Sequence, residues 1–276
     1  MNVRPALAPS MLCALLALAA CDAGDRAKKE NASPGPKLFI TSPKMDQTIA
    51  TDDAHLKADD DSAKKPEGKD VEVMLDLRDY EVGKVEDEKS GQHVHVIVDD
   101  GAYQACYDVS KGFPVGRLAP GTHVIRAFPS AGPKDPKGAA HHESRKNPGS
   151  FAWVRFHVKE KGGPLADFDG TKPLLTYSRP KGEYLPGKPE TTKLLLDFYV
   201  TNVALSKDGF KVRASLDGAV HGTYDTWKAE YGWLNPYFVE PTPAAGEHKL
   251  LLELIDASGA LVQGPFNRTE RTITIK

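Results

Sequence analysis

The chain has 276 residues and a formal net charge of −2, with 36 basic and 38 acidic side chains. Acidic and basic residues are interspersed, which gives no basic face for a nucleic acid, so we predict no nucleic-acid partner. A chain of this length has room for two domains of common size.

The first 20 residues have the features of a secretory signal peptide. Arg4 supplies a positive charge near the start, and an apolar run from Met11 to Ala20 follows it. This run is shorter than the roughly 20 apolar residues that a permanent transmembrane helix needs. We therefore predict that residues 1–20 direct export and are then removed.

The end of this run, Leu18-Ala-Ala-Cys21, resembles the lipobox of bacterial lipoproteins. The resemblance implies cleavage before Cys21, lipidation of its thiol and attachment to a membrane through that lipid. Two or three acyl chains hold a protein stably, whereas one chain binds only marginally. The expected location is the bacterial cell envelope, either periplasmic or surface-exposed. The alternative is an ordinary signal peptide with a coincidental cysteine.

The chain has three cysteines, and their positions exclude a disulfide within the mature protein. Cys13 leaves with the signal peptide and Cys21 carries the lipid, so that only Cys106 remains. A lone cysteine in a strand is more often a small buried hydrophobe than a nucleophile.

Three later segments lack apolar periodicity. Residues 21–36 end in Ser-Pro-Gly-Pro, which is typical of a disordered tether. Residues 52–70 are charged and poor in apolar side chains, and they are predicted to form a long loop. Residues 161–173, rich in Gly, Lys and Asp, suit a linker between domains.

Between these segments, short runs of β-branched and aromatic residues alternate with turn residues, as is typical of strands. Past the signal peptide, no stretch has sustained helical periodicity. This spacing indicates a sandwich or a barrel. The predicted strands are Lys37–Ser42, Val71–Leu77, His93–Val98, Thr122–Phe128, Phe151–Val158, Lys193–Tyr199, Phe210–Leu216, His248–Ile255 and Thr269–Lys276.

The two halves of the chain also match each other. His93–Asp108 runs parallel to Lys211–Asp225, with Asp-Gly-Ala and Tyr-Asp in common, once either Asp99 or Asp100 is treated as an extra residue. Self-similarity at this scale indicates two like domains. The alternation predicts which side chains point inward: Val94, Val96 and Val98 in the first half, and Val212, Ala214 and Leu216 in the second.

A second pair of matching segments is Gly121-Thr-His123 and Gly246-Glu-His248, each at the start of an alternating strand. The pattern resembles the E–F corner of immunoglobulin-like and fibronectin-type sandwiches, where a Tyr side chain bonds back to the corner backbone. The resemblance implies that His123 and His248 are structural corner residues and not ligands.

The predicted fold class is all-β, with two tandem immunoglobulin-like β-sandwich domains after a signal peptide and a disordered tether. The predicted boundaries are 1–20 for the signal peptide, 21–36 for the tether, 37–160 for the first domain, 161–173 for the linker and 174–276 for the second domain.

Catalytic signatures are missing from the sequence. It contains no Gly-x-Ser-x-Gly elbow, no Gly-rich phosphate loop and no His-Glu-x-x-His zinc pair. His142-Glu143 supplies the first half of the last pattern, but Lys146 stands where the second histidine would be. We predict that the protein is not an enzyme.

Histidines of the first half form a candidate metal site. If the strand valines point inward, His93 and His95 point outward side by side on a solvated face. His142 and Glu143 lie in the long loop before the last strand, which in such a sandwich emerges near His93. Imidazoles with a carboxylate suit zinc or copper. The other interpretation is a set of polar residues on a solvated surface.

The second half has Lys211 and Arg213 at the positions that match these two histidines. A metal site would therefore belong to the first domain alone. We predict no other cofactor.

An aromatic insertion distinguishes the second half. The span from Asp225 to Gly246 is eight residues longer than the span from Asp108 to Gly121. Exposed aromatic patches bind sugars or partner proteins, but such rings also cover open sheet edges or domain contacts. The candidate ligand-binding rings are Trp227, Tyr231, Trp233 and Tyr237.

The predicted function is that of a non-enzymatic, membrane-anchored envelope lipoprotein acting as a binding or scaffolding module. Its expected partners are the membrane, through the Cys21 lipid, and an envelope protein or a glycan. One alternative is a zinc- or copper-binding envelope protein. Another is a carbohydrate- or peptidoglycan-binding protein that uses the aromatic insertion.

Overall fold

A computed structural model describes residues 35–51, 67–84, 91–131, 149–226, 229–230, 233–234 and 237–276. Gly35 to Lys276 forms one compact unit. The predicted signal peptide, Cys21 and all but the end of the tether lie outside the described residues, as do His142, Glu143, Trp227 and Tyr231. In the part of the chain that is described, no helix is both long and apolar enough to cross a membrane.

The first half forms a sandwich of two sheets. Its strands are β1 (Lys37–Ser42), β2 (Thr48–Ile49), β3 (Lys69–Arg78), β4 (His93–Val98), β5 (Gln104–Cys106), β6 (Phe113–Leu118), β7 (Gly121–Ser130) and β8 (Ala152–Val158). One sheet has the order β1-β3-β6 and the other the order β2-β8-β7-β4-β5. Strand β2 pairs with β8 in parallel, whereas the central pairs β4–β7 and β7–β8 are antiparallel.

The second half repeats this arrangement. Its elements are β9 (Leu174–Arg179), β10 (Gly182–Tyr184), the helical turn α1 (Pro189–Thr192), β11 (Leu194–Thr201), β12 (Lys211–Leu216), β13 (Ala219–Tyr224), β14 (Ala229–Glu230), β15 (Trp233–Leu234), β16 (Tyr237–Val239), β17 (Gly246–Ile255) and β18 (Arg268–Ile275). The main sheets have the orders β9-β11-β16 and β10-β18-β17-β12-β13. The same strand order in both halves confirms two immunoglobulin-like sandwiches.

All nine predicted strands are present, each within two residues of its predicted bounds. The short strands β2, β5, β10, β14, β15 and β16 were not predicted, and neither were β6, β9 and β13. Strand β3 starts at Lys69, so Lys69 and Asp70 belong to a strand and not to the predicted loop. The rest of that loop, up to residue 66, lies outside the description.

Each sandwich has its own apolar core between its two sheets. In the first, Val94 and Val96 are fully buried and Val98 packs against them, as the alternation predicts. In the second, Val212 and Ala214 are buried in the same way and Leu216 packs beside them. The predicted inward face is therefore correct in both halves.

Two further apolar clusters lie where the sandwiches meet. One joins Val124 of the first sandwich to Leu174 and Phe266 of the second. The other joins Ile97, Tyr103 and Phe128 of the first sandwich to Tyr199 of the second. Burial of such rings is a strong driving force for association, so the two sandwiches pack against each other.

The segment between β8 and β9 is packed into the same region. Its Leu165 and Phe168 are buried in the cluster around Phe266. The backbone amide of Thr122 donates to the carbonyl of Gly162 at 2.9 Å. The connection is therefore held by contacts along its length.

Candidate functional site

The face of β4 that points away from the core of the first sandwich is buried and not exposed to solvent. His93 and His95 are only 1% and 0% exposed. The prediction of two histidines on a solvated face is wrong. The alternation of side chains is as predicted, but the second sandwich covers this face.

Strand β9 provides much of the cover. Its Leu175 and Tyr177 point into the core of the second sandwich. Thr176 and Ser178, on the other side of the strand, are fully buried against the first sandwich. Strand β9 is thus buried on both faces, like a central strand of a layered protein.

A chain of hydrogen bonds runs through the two histidines. His93 Nδ1 lies 2.9 Å from the carbonyl of Gly91, and the two Nε2 atoms of His93 and His95 lie 3.0 Å apart. His95 Nδ1 lies 3.0 Å from Ser178 Oγ in the second sandwich. The chain therefore crosses from one domain to the other.

If both imidazoles are neutral, the Gly91 carbonyl at one end determines the direction of every hydrogen bond in this chain. A carbonyl only accepts, so His93 Nδ1 is protonated and donates a hydrogen bond to the Gly91 carbonyl. In neutral rings, His93 Nε2 then accepts a hydrogen bond from the N–H of His95 Nε2, and His95 Nδ1 accepts one from the Ser178 hydroxyl. All four ring nitrogens have partners, which satisfies groups that would be costly to bury alone.

Tyr103 closes the cluster from the side. Its ring stacks on that of His95, with centroids 3.6 Å apart and planes inclined by 12°. Arg179 donates to its hydroxyl, and Lys181 Nζ donates to its backbone carbonyl at 2.7 Å. Burial raises the pKa of Tyr103 to about 12, so its hydroxyl stays protonated.

This arrangement does not fit a metal through the two histidines as they stand. His93 Nε2 and His95 Nδ1, the nitrogens with lone pairs, both accept hydrogen bonds. No group of three His, Cys, Asp or Glu side chains able to hold a metal occurs in the described ranges. His142 and Glu143 lie outside them, so the zinc or copper alternative stays a prediction.

Arg126 on β7 is the largest fully buried side chain at the same contact. It donates to the carbonyl of Leu175 at 3.3 Å and to Thr176 Oγ1 at 3.1 Å, both in the second sandwich. It also donates to the Asp99 carbonyl at 2.6 Å, and its guanidinium lies 3.7 Å from the ring centroid of Phe266. Burial lowers the pKa of Arg126 to about 9.

The corresponding face of the second sandwich has charged, partly exposed side chains at the matching positions. In the strand register, His95 pairs with Phe128, and the matching pair in the second half is Arg213 with Glu253. Arg213 Nε donates to Glu253 at 2.9 Å in a partly exposed ion pair. Ion pairs are typical of a solvated face, and stacked rings are typical of a covered one. The two repeats therefore differ at the face through which the first sandwich contacts the second.

The corner histidines have the predicted structural role. His123 bonds to the carboxylate of Asp99 at 2.7 Å and to the carbonyl of Ala119 at 2.8 Å. His248 repeats this with Asp217 and Ala244, at the same two distances. The matching roles of Asp99 and Asp217 identify Asp100 as the extra residue of the first half.

These contacts favour the charged imidazolium in both corners. A carboxylate and a carbonyl both accept, so each ring has to donate from both nitrogens. Burial lowers the pKa of His123, but the Asp99 and Ala119 hydrogen bonds outweigh it and leave the pKa raised. The hydrogen bond that His248 donates to Asp217, followed by the one it donates to the Ala244 carbonyl, raises the pKa of His248.

This raised pKa predicts a dependence of stability on pH. Because the folded corners bind the proton more tightly than the unfolded chain, their contribution is complete below the ordinary histidine pKa of about 6.5 and is lost as pH rises through the folded pKa. Urea unfolding of residues 35–276 from pH 5 to 8 should show this loss. It should be reduced in His123→Ala and in His248→Ala, and unchanged in the surface control His221→Ala. Equal pH profiles for all four proteins would contradict the assignment.

The aromatic insertion is described only in part. Tyr237 stacks on Phe198 with centroids 6.1 Å apart and contacts Tyr224 at 4.3 Å. Its hydroxyl donates to the Thr226 carbonyl at 2.5 Å. Tyr237 therefore packs against the core with its ring partly buried, and its role as a ligand-binding ring stays a prediction. For Trp233 only the backbone, in β15, is described.

Comparisons with known proteins identify no family. No family model matches the chain, and no curated protein matches it. Among solved structures, fibronectin(III)-like modules of Clostridium thermocellum CbhA share 13% identity, with a TM-score of 0.27, over 87% of this chain and 94% of theirs.

Two other similar structures are SGBP-B from the Bacteroides ovatus mixed-linkage glucan utilization locus, in complex with a mixed-linkage heptasaccharide, and a putative membrane anchored protein from Corynebacterium diphtheriae. SGBP-B is 14% identical with a TM-score of 0.23, over 88% of this chain and 48% of its own. The Corynebacterium protein has the same two values, over 85% of this chain and 58% of its own. This chain thus spans about half of each, and likenesses this low transfer no activity to it.

Proposed function

We propose that the protein is a lipid-anchored component of the bacterial cell envelope that acts as a non-enzymatic binding or scaffolding module. The observation that carries the proposal is the buried contact between the sandwiches. Two domains joined in this way present their loops and edges in one fixed geometry. Rigid presentation reduces the entropy lost on binding, and it suits an envelope protein or a glycan as partner.

Three described side chains of types that often act in catalysis, those of Cys106, His95 and His123, are buried or hydrogen-bonded within the protein, which supports a binding role. Cys106 is fully buried, and burial raises the pKa of its thiol. A nucleophilic cysteine needs the opposite, a lowered pKa and access to substrate. His95 and His123 use both of their ring nitrogens in hydrogen bonds within the protein.

The proposed anchor rests on the lipobox resemblance at Cys21. We expect Cys21→Ser to abolish incorporation of a palmitate analogue in the native bacterium and to move the protein out of the membrane fraction. Cys13→Ser is the matched control, because it removes a thiol from the same short segment but leaves the modified position intact. Membrane fractionation and the mass of the mature N-terminal peptide provide the readout.

Labelling that depends on Cys21 and not on Cys13 supports the lipid anchor. A Cys21→Ser protein that stays in the membrane fraction, or a mature chain that begins before Cys21, would contradict it.

A further inference from the structure

A cleft of about 240 Å³ lies beside the domain contact, at the turn between β9 and β10. Three cationic side chains line it, one from the end of β9, one from the turn and one from the segment before α1. Its volume is below the roughly 300–1,000 Å³ of most small-molecule pockets, so it suits a small group or the end of a larger ligand. The lining residues are Arg179, Lys181, Glu183, Tyr184, Leu185 and Lys188.

The positive charge of this cleft is not balanced within the part of the chain that the structure describes. Glu183, the one carboxylate of the lining, pairs with Lys276 Nζ at 3.1 Å. No ion pair is formed there by Arg179, Lys181 or Lys188.

The inner part of the cleft is partly withdrawn from water, which increases the effect of the charge. Lys181 Nζ donates to the Tyr103 carbonyl and lies 3.7 Å from the centroid of the Tyr103 ring, so its near partners are dipolar and not anionic. Burial and the neighbouring Arg179 and Arg271 lower the pKa of Lys181 to about 8. The Nε atom of Arg179 is buried without a hydrogen-bond partner.

The cleft is also held in shape before any ligand arrives. The backbone amide of Lys181 donates to the Tyr184 hydroxyl at 3.1 Å, which fixes the turn. Arg179 is held by the Tyr103 hydroxyl of the first sandwich. Converging cations on a fixed turn are the usual design for binding an oxyanion. At the rim, half-exposed Leu185 adds apolar contact for a carbon skeleton.

We propose that this cleft binds an oxyanion: a carboxylate, phosphate or sulfate group presented by a small molecule or by a larger envelope component. Arg179 and Lys181 contact the group at the base of the cleft, and Lys188 contacts it at the rim. The inference deepens the proposed function by naming a ligand class for the binding module. It does not depend on lipidation of Cys21.

The test uses the full chain purified in detergent at low ionic strength. Inorganic phosphate, sulfate and glucuronate are titrated by calorimetry, with glucose as the uncharged control. We expect saturable binding of at least one anion with Kd on the order of 1 mM or tighter, and none of glucose. Tighter binding of glucuronate identifies an acidic sugar as the source, and tighter binding of phosphate or sulfate identifies an ester of those acids.

Variants assign this binding to the cleft. Lys188→Gln changes an exposed side chain and Lys181→Gln a partly buried one, and each is expected to weaken binding at least tenfold. Lys207→Gln, on an exposed turn of the same sandwich, is the matched control and should bind as the unmodified protein does. Absence of saturable binding for all three anions would overturn the proposal, as would Lys188→Gln and Lys181→Gln proteins that bind with unchanged affinity. A lipidated protein without anion binding would refute this inference and leave the anchor intact.

Discussion

Arg126→Ala is expected to lower the free energy of unfolding by about 3–5 kcal/mol, the range seen when a large buried side chain is removed. The variant leaves a cavity between the sandwiches where the guanidinium stacks on Phe266. It also deprives the carbonyls of Leu175 and Asp99 of a charged donor. Urea unfolding of residues 35–276, followed by tryptophan fluorescence, provides the measurement.

A second substitution at the same position separates packing from hydrogen bonding. Arg126→Met restores most of the volume without the donors, so we expect about 1–3 kcal/mol of the loss to remain. Leu251→Ala is the matched control, because Leu251 occupies the equivalent register position in the second sandwich and is only half-buried. An Arg126→Ala protein within 1 kcal/mol of the unmodified one would show that the buried contact contributes little.

Loss of the His95 side chain is expected to have the second-largest effect, about 2–4 kcal/mol. His95→Ala removes the ring that stacks on Tyr103 and the hydrogen bonds that His95 makes with buried His93 Nε2 and Ser178 Oγ. Arg213→Ala, at the equivalent position of the second sandwich, removes one partner of a partly exposed ion pair. That loss should be about 0–1 kcal/mol.

His95→Phe tests the polar part of this prediction. The ring is kept but its nitrogens are lost, so the variant should recover the stacking energy and still be less stable than the unmodified protein. Equal losses for His95→Ala and Arg213→Ala would contradict the account, because they would place His95 in an environment as open as that of Arg213.

Within each domain, the fold could be predicted from the sequence because the burial pattern there is local. Alternation of side chains identified the inward residues Val94 and Val212 correctly. The Gly-x-His pattern identified the two structural corners at His123 and His248. These features depend on strand geometry and a turn, which a short stretch of sequence determines.

The contact between the domains could not be predicted in the same way. Period-two alternation predicts that His95 points away from the core of its own sandwich. It does not predict whether solvent or another domain covers that side chain. Its burial depends on Ser178, which is 83 residues away in another domain. One signal was present: the first repeat has His95 and Phe128 where the second has Arg213 and Glu253. A comparison of the outer faces would have indicated which sandwich is covered.

The missed strand β9 has a similar cause. Its residues Leu174 to Ser178 are all buried, because one side faces its own core and the other faces the first sandwich. Such a strand lacks the alternation of a half-exposed strand. The burial of Arg126 was not predicted either, because an arginine in a strand is usually exposed to solvent.

Rigid docking of the two sandwiches is the central claim, and a distance distribution tests it most directly. Spin labels at Met45→Cys and Val220→Cys, exposed positions in the first and second sandwich, can be measured by double electron–electron resonance in residues 35–276. The account predicts one narrow distance that broadens in the Arg126→Ala background. A broad distribution in the otherwise unmodified protein would mean that the sandwiches move independently, and it would contradict the account.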